Sequence, residues 1–444
     1  MKRLIGLSFV IYHLSFSPAG AQEWTVRQCM QYAVAHNHEV KRAELELDSY
    51  RAARTGAMGR FLPAVDAGIG AQYNFGRAID PETNGYTDVS TFYNGYSLSA
   101  SLPLFDGFSR LHALRAAKAG VLMGQSALRQ QQNLTALQVL QACTDVLYYE
   151  GTVSMARERQ QEADLLERQT QVMLEVGRKS HADLAQVQAQ QAEAAYELTR
   201  QQNLLASALL ALKQLMGLPL TDSLRIAESD LAQAQEPTDP NRQLGSGSPE
   251  VGMEQNPALL QAYHNMQISR HEWCQARAAL CPSLSLSAGL NTTYYHTLHT
   301  DAGQPFHTQF KNNMGEYVGV TLSIPLFNRL QTVTSIRRAK NNYRIAREAY
   351  EQKQTELEKL SREAWQDRQS YQKQAEQMSR KVEADSMACL LTRRQFEEGL
   401  STAIDLRTTS AQLLNSKATL LQCRLMTIVK EHLIRYYRGE SIWE

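Results

Sequence analysis

From Val65 to Phe75 the chain alternates without a break, setting Val65, Ala67, Ile69, Ala71, Tyr73 and Phe75 against Asp66, Gly68, Gly70, Gln72 and Asn74. A returning stretch sets Phe92, Tyr96, Leu98, Ala100 and Leu102 against Gly95, Ser97, Ser99 and Ser101. The pattern recurs in Leu284, Leu286, Ala288 and Leu290, and again in Val318, Val320, Leu322 and Ile324. Alternate side chains of a strand point to opposite faces, so period two predicts four strands, grouped as pairs within 64–105 and 283–327. The segments between them, 77–90 and 296–312, are polar, carry Pro, Gly and Asn, and read as loops. A strand of about 12 residues, rising roughly 3.3 Å per residue and tilted near 45°, covers about 28 Å, the depth of a bilayer's hydrocarbon layer. Apolar on one face and small or polar on the other is the signature of a transmembrane β-barrel, although a half-exposed soluble sheet alternates in the same way. Four strands cannot close a barrel, and an open edge in lipid leaves backbone groups unsatisfied. The chain is therefore expected to lend its strands to an oligomer, and a trimer of twelve strands is the simplest closed solution with an aqueous lumen.

The other periodicity is helical. No proline interrupts Asp106 to Val176 or Asn328 to Glu398, and a helix of that length reaches about 100 Å. Heptad spacing appears in Leu114, Val121 and Leu128, and in Ala364, Tyr371 and Met378. Shorter return helices carry Leu205, Leu209, Leu212 and Met216, and Leu406, Leu413 and Leu420. Such thin apolar stripes predict coiled-coil packing against neighbours.

Strands and helices occur in the same order twice, which predicts an internal duplication. The run Leu102, Pro103, Leu104, Phe105 returns 222 positions later as Ile324, Pro325, Leu326, Phe327. Gly177 with Asp183 returns at the same offset as Gly399 with Asp405, and Gly217 returns as Gly439. Asn37 with Asn256, and Pro63 with Pro282, match at an offset of 219. The repeats are placed at 22–226 and 250–440, each a helix, a strand pair and a long helical hairpin. A breaker-rich linker, 227–249, joins them, with Pro237, Pro240 and the run Gly245 to Ser248.

Composition and local motifs add further limits. The formal net charge of +1 over 444 residues imposes no basic face, which argues against nucleic acid as a partner. No apolar run is long enough for an ordinary membrane-spanning helix. Lys2 and Arg3, the apolar stretch Leu4 to Leu14, and Ala19-Gly20-Ala21 form a signal peptide over 1–21, so the protein is expected to be exported. Its six cysteines are Cys29, Cys143, Cys274, Cys281, Cys389 and Cys423. They lack disulfide-like spacing: Cys274 and Cys281 on one helix would sit about 10 Å apart at a rise of about 1.5 Å per residue. They read as small apolar residues, and no metal site is expected, with His296, His299 and His307 taken as a solvated loop. No nucleophile elbow, phosphate loop or His/Glu metal motif occurs, so neither an enzyme nor a cofactor is expected.

The hairpin tips read Gly177, Arg178, Lys179, Ser180, His181, Ala182, Asp183 and Gly399, Leu400, Ser401, Thr402, Ala403, Ile404, Asp405. Glycine ends one helix in the left-handed conformation; Ser180 or Thr402 caps the next, with Asp at the third helical position. In a threefold assembly Asp183 and Asp405 would also form carboxylate rings, which favour cations. Mutual repulsion would raise the carboxylate pKa.

With these residues in place the chain resembles the TolC family of outer-membrane efflux and secretion factors. The resemblance covers nearly the whole mature chain. It rests on Trp24 to Cys29, on Ala35 to Asn37, on the duplicated Pro-Leu-Phe elements, on Asn74 to Pro81 and on the two Gly-x5-Asp tips, with wording similar to members from Bacteroidota. It implies a mainly α protein with a transmembrane β-barrel portion: a homotrimer whose twelve-stranded barrel sits in outer-membrane lipid on a long periplasmic α-helical coiled-coil tunnel. It implies a passive exit duct of a tripartite efflux or type I secretion system, docking a periplasmic adaptor protein and an inner-membrane pump at its tips. Gly177, Arg178, Gly399 and Leu400 would form the docking tips. Asp405 falls on a constricting Asp ring and Asp183 on an acidic gate-bridge position. A second Asp ring falls on Thr408, a gating Arg on Ser401 and a gating Tyr on Phe396, so the family's closing network is incomplete here. A trimeric, barrel-anchored coiled-coil adhesin or stalk is the competing reading.

Overall fold

A computed structural model describes residues 23–79, 85–88, 90–227, 253–298 and 304–443. The signal peptide, most of the linker and His299, Asp80 and Pro81 lie outside them. In chain order the elements are β1 (Glu23–Trp24), α1 (Val26–His36), α2 (His38–Gly59), β2 (Ala64–Asn74), β3 (Arg77–Ile79), β4 (Tyr86–Asp88), β5 (Thr91–Phe105), α3 (Ser109–Glu175), α4 (His181–Met216), β6 (Arg225–Ile226), α5 (Pro257–Ala278), β7 (Ser283–Thr297), α6 (Phe306–Asn312), β8 (Gly315–Ser323), α7 (Gln331–Glu397) and α8 (Ala403–Tyr437). The two long helices are there at 67 residues each. No described helix is long and apolar enough to cross a membrane.

The chain divides into two compact units. One comprises residues 43–129 and 257–356 and contains an antiparallel sheet in the order β2-β5-β7-β8. Its register pairs Ile69 with Tyr96, Tyr96 with Thr292, Ala100 with Ala288 and Ala288 with Val318. Because paired residues share a face, the apolar members of all four strands line one side, and Gly68, Gly70, Ser97, Ser99, Ser287 and Gly319 line the other. That apolar side is open: Ile69 and Val318 are 77% and 78% exposed. Hydrophobic area of this extent needs cover by something other than water.

The segments expected to be loops hold structure. Within 77–90 a short hairpin pairs β3 with β4. Within 296–312, β7 continues to Thr297 and α6 follows. The strand-to-helix turns are also sharper than the sequence suggests. Gly107 and Phe108 have φ of +65° and +67°, and Arg329 and Leu330 have +57° and +64°. Asp106 Oδ2 accepts from the Arg110 backbone N–H at 3.0 Å, and Asn328 Oδ1 from that of Thr332 at 3.3 Å, starting α3 and α7. Cys281 lies beyond the end of α5 and is exposed, so the reading that placed it on a helix is corrected; all six cysteines are free thiols.

His112 of α3 and His271 of α5 face each other with ring centroids 5.8 Å apart, and neither Nδ1 has a hydrogen-bond partner. Burial lowers the pKa of both; Arg115 adds to this at both rings, and His112 and Arg270 at His271. A histidine with a depressed folded pKa leaves stability unchanged above its ordinary value near 6.5 and destabilises the fold as pH falls below it. The thermal midpoint should therefore drop between pH 7.5 and 5.5, and His271→Gln should flatten that drop. An equal drop in both proteins would clear the pair of any part in it.

The second unit gathers, of the described residues, 23–42, 130–227, 253–256 and 357–443. Here Asn37 Nδ2 donates to Leu215 O at 2.8 Å at the end of α4. At the end of α8, Asn256 Nδ2 donates to Tyr436 O at 3.2 Å and Tyr437 O at 3.4 Å. These bonds satisfy carbonyls that a helix end leaves unpaired.

Candidate functional site at the hairpin tips

Each tip is built from backbone rules first. Gly177 and Gly399 take φ of +74° and +81°. The N–H of Gly177 bonds Leu174 O and that of Arg178 bonds Met173 O, while Gly399 bonds Phe396 O and Leu400 bonds Gln395 O. This pairing reverses the chain in few residues and leaves little backbone unsatisfied. The next helix starts at once. Asp183 Oδ2 accepts from the Ser180 N–H at 3.0 Å and hydroxyl at 2.8 Å, and Ser180 Oγ accepts from the Asp183 N–H. Asp405 Oδ2 accepts from the Thr402 N–H at 3.1 Å, its hydroxyl at 2.6 Å and the Ser401 hydroxyl at 3.3 Å. Both capping boxes anticipated from the sequence are present.

These bonds fix the electrostatics. Hydrogen bonds from Ser180 hold the Asp183 carboxyl below the usual range, and those from Thr402 do the same for Asp405. Within one chain the hydrogen bonds to Asp405 favour its charged form and so oppose the rise expected of a ring of three.

The candidate gate residues separate into two groups. Asp405 and Thr408 are exposed, as is Arg178 of the docking set, and Asp183 and Ser401 are half-buried. Thr408 spends its hydroxyl on Ile404 O at 2.9 Å. Phe396 is different: it is 1% exposed, packed with Leu166, Val187, Ala403 and Leu406. Lys179 Nζ lies 3.9 Å from its ring centroid, a cation over the negative face of the ring. A side chain so enclosed works as the core that joins four helix ends, not as a lining group. Arg393 with Glu162 at 3.3 Å and Arg407 with Glu193 at 3.0 Å add cross-links between the hairpins.

Sequence reasoning named Leu400 for docking but missed Lys179 and the apolar neighbours of Leu400. Leu400 is 76% exposed, and Val176 and Ile404 stand out in water beside the turns. The signal was present: branched apolar residues at helix ends, where solvated positions are ordinarily polar. It also missed the node in which Asp385 accepts from Lys381 at 2.6 Å and from the Ser416 and Gln412 side chains. His296 lies in β7 and His307 in α6, and no group of three or more metal-ligating side chains forms among the described residues.

Comparison with known proteins places this geometry. A family model described as outer membrane efflux protein matches residues 29–218 and 251–432. The chain is 26% identical over 396 residues to the alkaline protease secretion protein AprF of Pseudomonas aeruginosa, covering 83% of this chain and 75% of that protein. It is 26% identical over 365 residues to the outer membrane protein TolC of Escherichia coli, covering 79% and 69%. It is 23% identical over 415 residues to a probable efflux pump outer membrane protein, TtgC, of Pseudomonas putida, covering 91% and 81%. Among solved structures, CusC superposes with a TM-score of 0.81 at 19% identity over 96% of both chains. The outer-membrane channel OprN gives 0.79 at 18% identity over 94% of this chain and 91% of its own.

Proposed function

The chain belongs to the outer membrane efflux protein family, the TolC family, and we propose that it is the outer-membrane exit duct of a tripartite efflux or type I secretion system. Three copies would each give a four-stranded sheet to a twelve-stranded barrel, apolar face to lipid, with the helices continuing as a periplasmic tunnel. The supporting observation is the sheet: one face apolar and exposed, with β2 and β8 at edges that no described strand pairs. Lipid and neighbouring copies supply what that sheet lacks. A passive duct needs no reacting groups, and the matched proteins carry the names of channels, efflux-pump components and secretion proteins.

The two tips would dock a periplasmic adaptor linked to an inner-membrane pump, with Gly177, Arg178, Gly399 and Leu400 in the contact. Asp405 would line the narrow end as a ring of three, with Thr408 and Ser401 beside it, and Asp183 would bridge neighbouring helices. Planar-bilayer recording of the purified protein tests both duct and gate. A stable open-pore conductance is expected; Asp405→Ala should raise it and weaken block by divalent cations, and Asp183→Ala should do so less. No conductance would sink the duct. Unchanged conductance and block in the Asp405 variant would leave that carboxylate only its role as a helix cap.

A further inference from the structure

At one end of the sheet, α6 occupies a position that the duct itself does not require. β7 runs on to Thr297 beyond Asn291, its last residue paired with β8. Over that stretch side-chain amides take the place of a strand. The Tyr295 N–H donates to Gln309 Oε1 at 3.0 Å, and Gln309 Nε2 donates back to Tyr295 O at 2.9 Å. Asn313 Nδ2 donates to Thr293 O at 2.8 Å. Gln309 thus offers one acceptor and one donor to a single residue, as a neighbouring peptide would, and is 8% exposed.

The same helix lies on one face of the sheet. Phe306 and Phe310 meet Tyr96 at centroid distances of 6.1 and 5.3 Å, and Phe306 meets Tyr294 at 5.2 Å. The Thr292 hydroxyl donates to Phe310 O at 2.7 Å. Tyr96 is in register with Ile69 and Thr292, so this is the apolar face, the one that the proposed barrel turns to lipid. A plug for the lumen would lie on the opposite face, among Gly68, Gly70, Ser97 and Ser99.

We propose that α6 is an interfacial helix, seated on the outer wall of the barrel and embedded in the headgroup layer of the membrane, so that its partner is the lipid surface. This rests on the barrel reading. Tyr73, Phe92, Tyr96 and Tyr294 share that end and face, and aromatic rings of this kind favour the boundary between acyl chains and headgroups. Phe306 and Met314 remain 46% and 48% exposed on the segment, beside the exposed Lys311 and His307. An apolar surface with an adjacent cation suits a layer in which acyl chains meet phosphates.

The test uses the full-length assembled protein in phosphatidylcholine–phosphatidylglycerol vesicles whose acyl chains are brominated near the headgroup. Phe306→Trp and, separately, Ile69→Trp are read as differences from the parent's own tryptophan emission. For both, brominated lipid should remove most of the added emission and aqueous acrylamide little of it. Gln309→Leu added to Phe306→Trp should release the helix and shift quenching toward acrylamide. Should Phe306→Trp fail to assemble, Met314→Trp replaces it. If acrylamide and not bromolipid quenches Trp at 306 or 314 while Trp at 69 still answers to bromolipid, the helix proposal is overturned and the barrel stands. If position 69 also ignores bromolipid, the barrel reading itself falls.

Discussion

Gly439→Ala should strip most of the assembled protein from the membrane. Gly439 follows α8 with φ of +80°, and its N–H and that of Glu440 bond Tyr436 O and Arg435 O. A Cβ there would lie 2.7 Å from the Gln255 carbonyl carbon and 2.9 Å from the Asn256 nitrogen. Those are backbone atoms beside Asn256, which is fully buried while it caps Tyr436 and Tyr437, so neither partner can step aside. The left-handed conformation costs an L-residue about 1–2 kcal/mol. Forcing a methyl into packed backbone adds about 1–3 kcal/mol. Gly217 and Gly177 isolate the first of these terms. At Gly217 the nearest atom is His36 O at 3.4 Å, an ordinary contact, and at Gly177 nothing lies within 4 Å, although both have positive φ. Heat-resistant oligomer recovered from membranes should therefore fall steeply for Gly439→Ala, and modestly and alike for Gly217→Ala and Gly177→Ala. Equal losses in all three would mean that the close approach to Gln255 carries no energy.

That comparison marks what a reader of the sequence could see. Gly217 and Gly439, and Asn37 and Asn256, stand out as matched pairs because each does a job that few other residues do: a left-handed turn, or an amide reaching two elements at once. The strands are legible for the same reason, since one face must be apolar, and so are the capping boxes, whose chemistry is local. Arg329 and Leu330 give no such sign. They take the left-handed region where the first strand-to-helix turn uses Gly107 and Phe108, and only the surrounding fold imposes that on them. α6 was hidden too. Its seven residues are too few to display a helical period, and its anchor is Gln309, a polar residue type equally at home in a loop. Phe396 stands where the resemblance implies a gating tyrosine, and its ring, which carries no hydroxyl, sits in the core under Lys179.

Gly399→Val should abolish transport while leaving the amount of assembled protein in the membrane nearly normal. Nothing lies within 4 Å of a Cβ at this site, so the cost of the substitution falls chiefly on the backbone at φ of +81°. A β-branched residue is a true outlier there, and the turn must reshape to escape it. Reshaping breaks the Leu400 N–H bond to Gln395 O at 2.7 Å and swings Leu400, Ser401 and the Thr402–Asp405 cap away from their places. The core of Leu166, Val187, Phe396, Ala403 and Leu406 lies beneath the turn and can hold the helices together without it. What is lost is the surface at the very end of the hairpin, the one that the proposed adaptor must read. Gly399→Asn is the control, because asparagine tolerates the left-handed region and should keep most of the transport. Efflux of a fluorescent substrate from intact cells, with oligomer in the same membranes measured by immunoblot, separates the two effects. Parental efflux in the valine variant would remove this tip from docking, and loss of oligomer in step with efflux would reduce Gly399 to a folding residue.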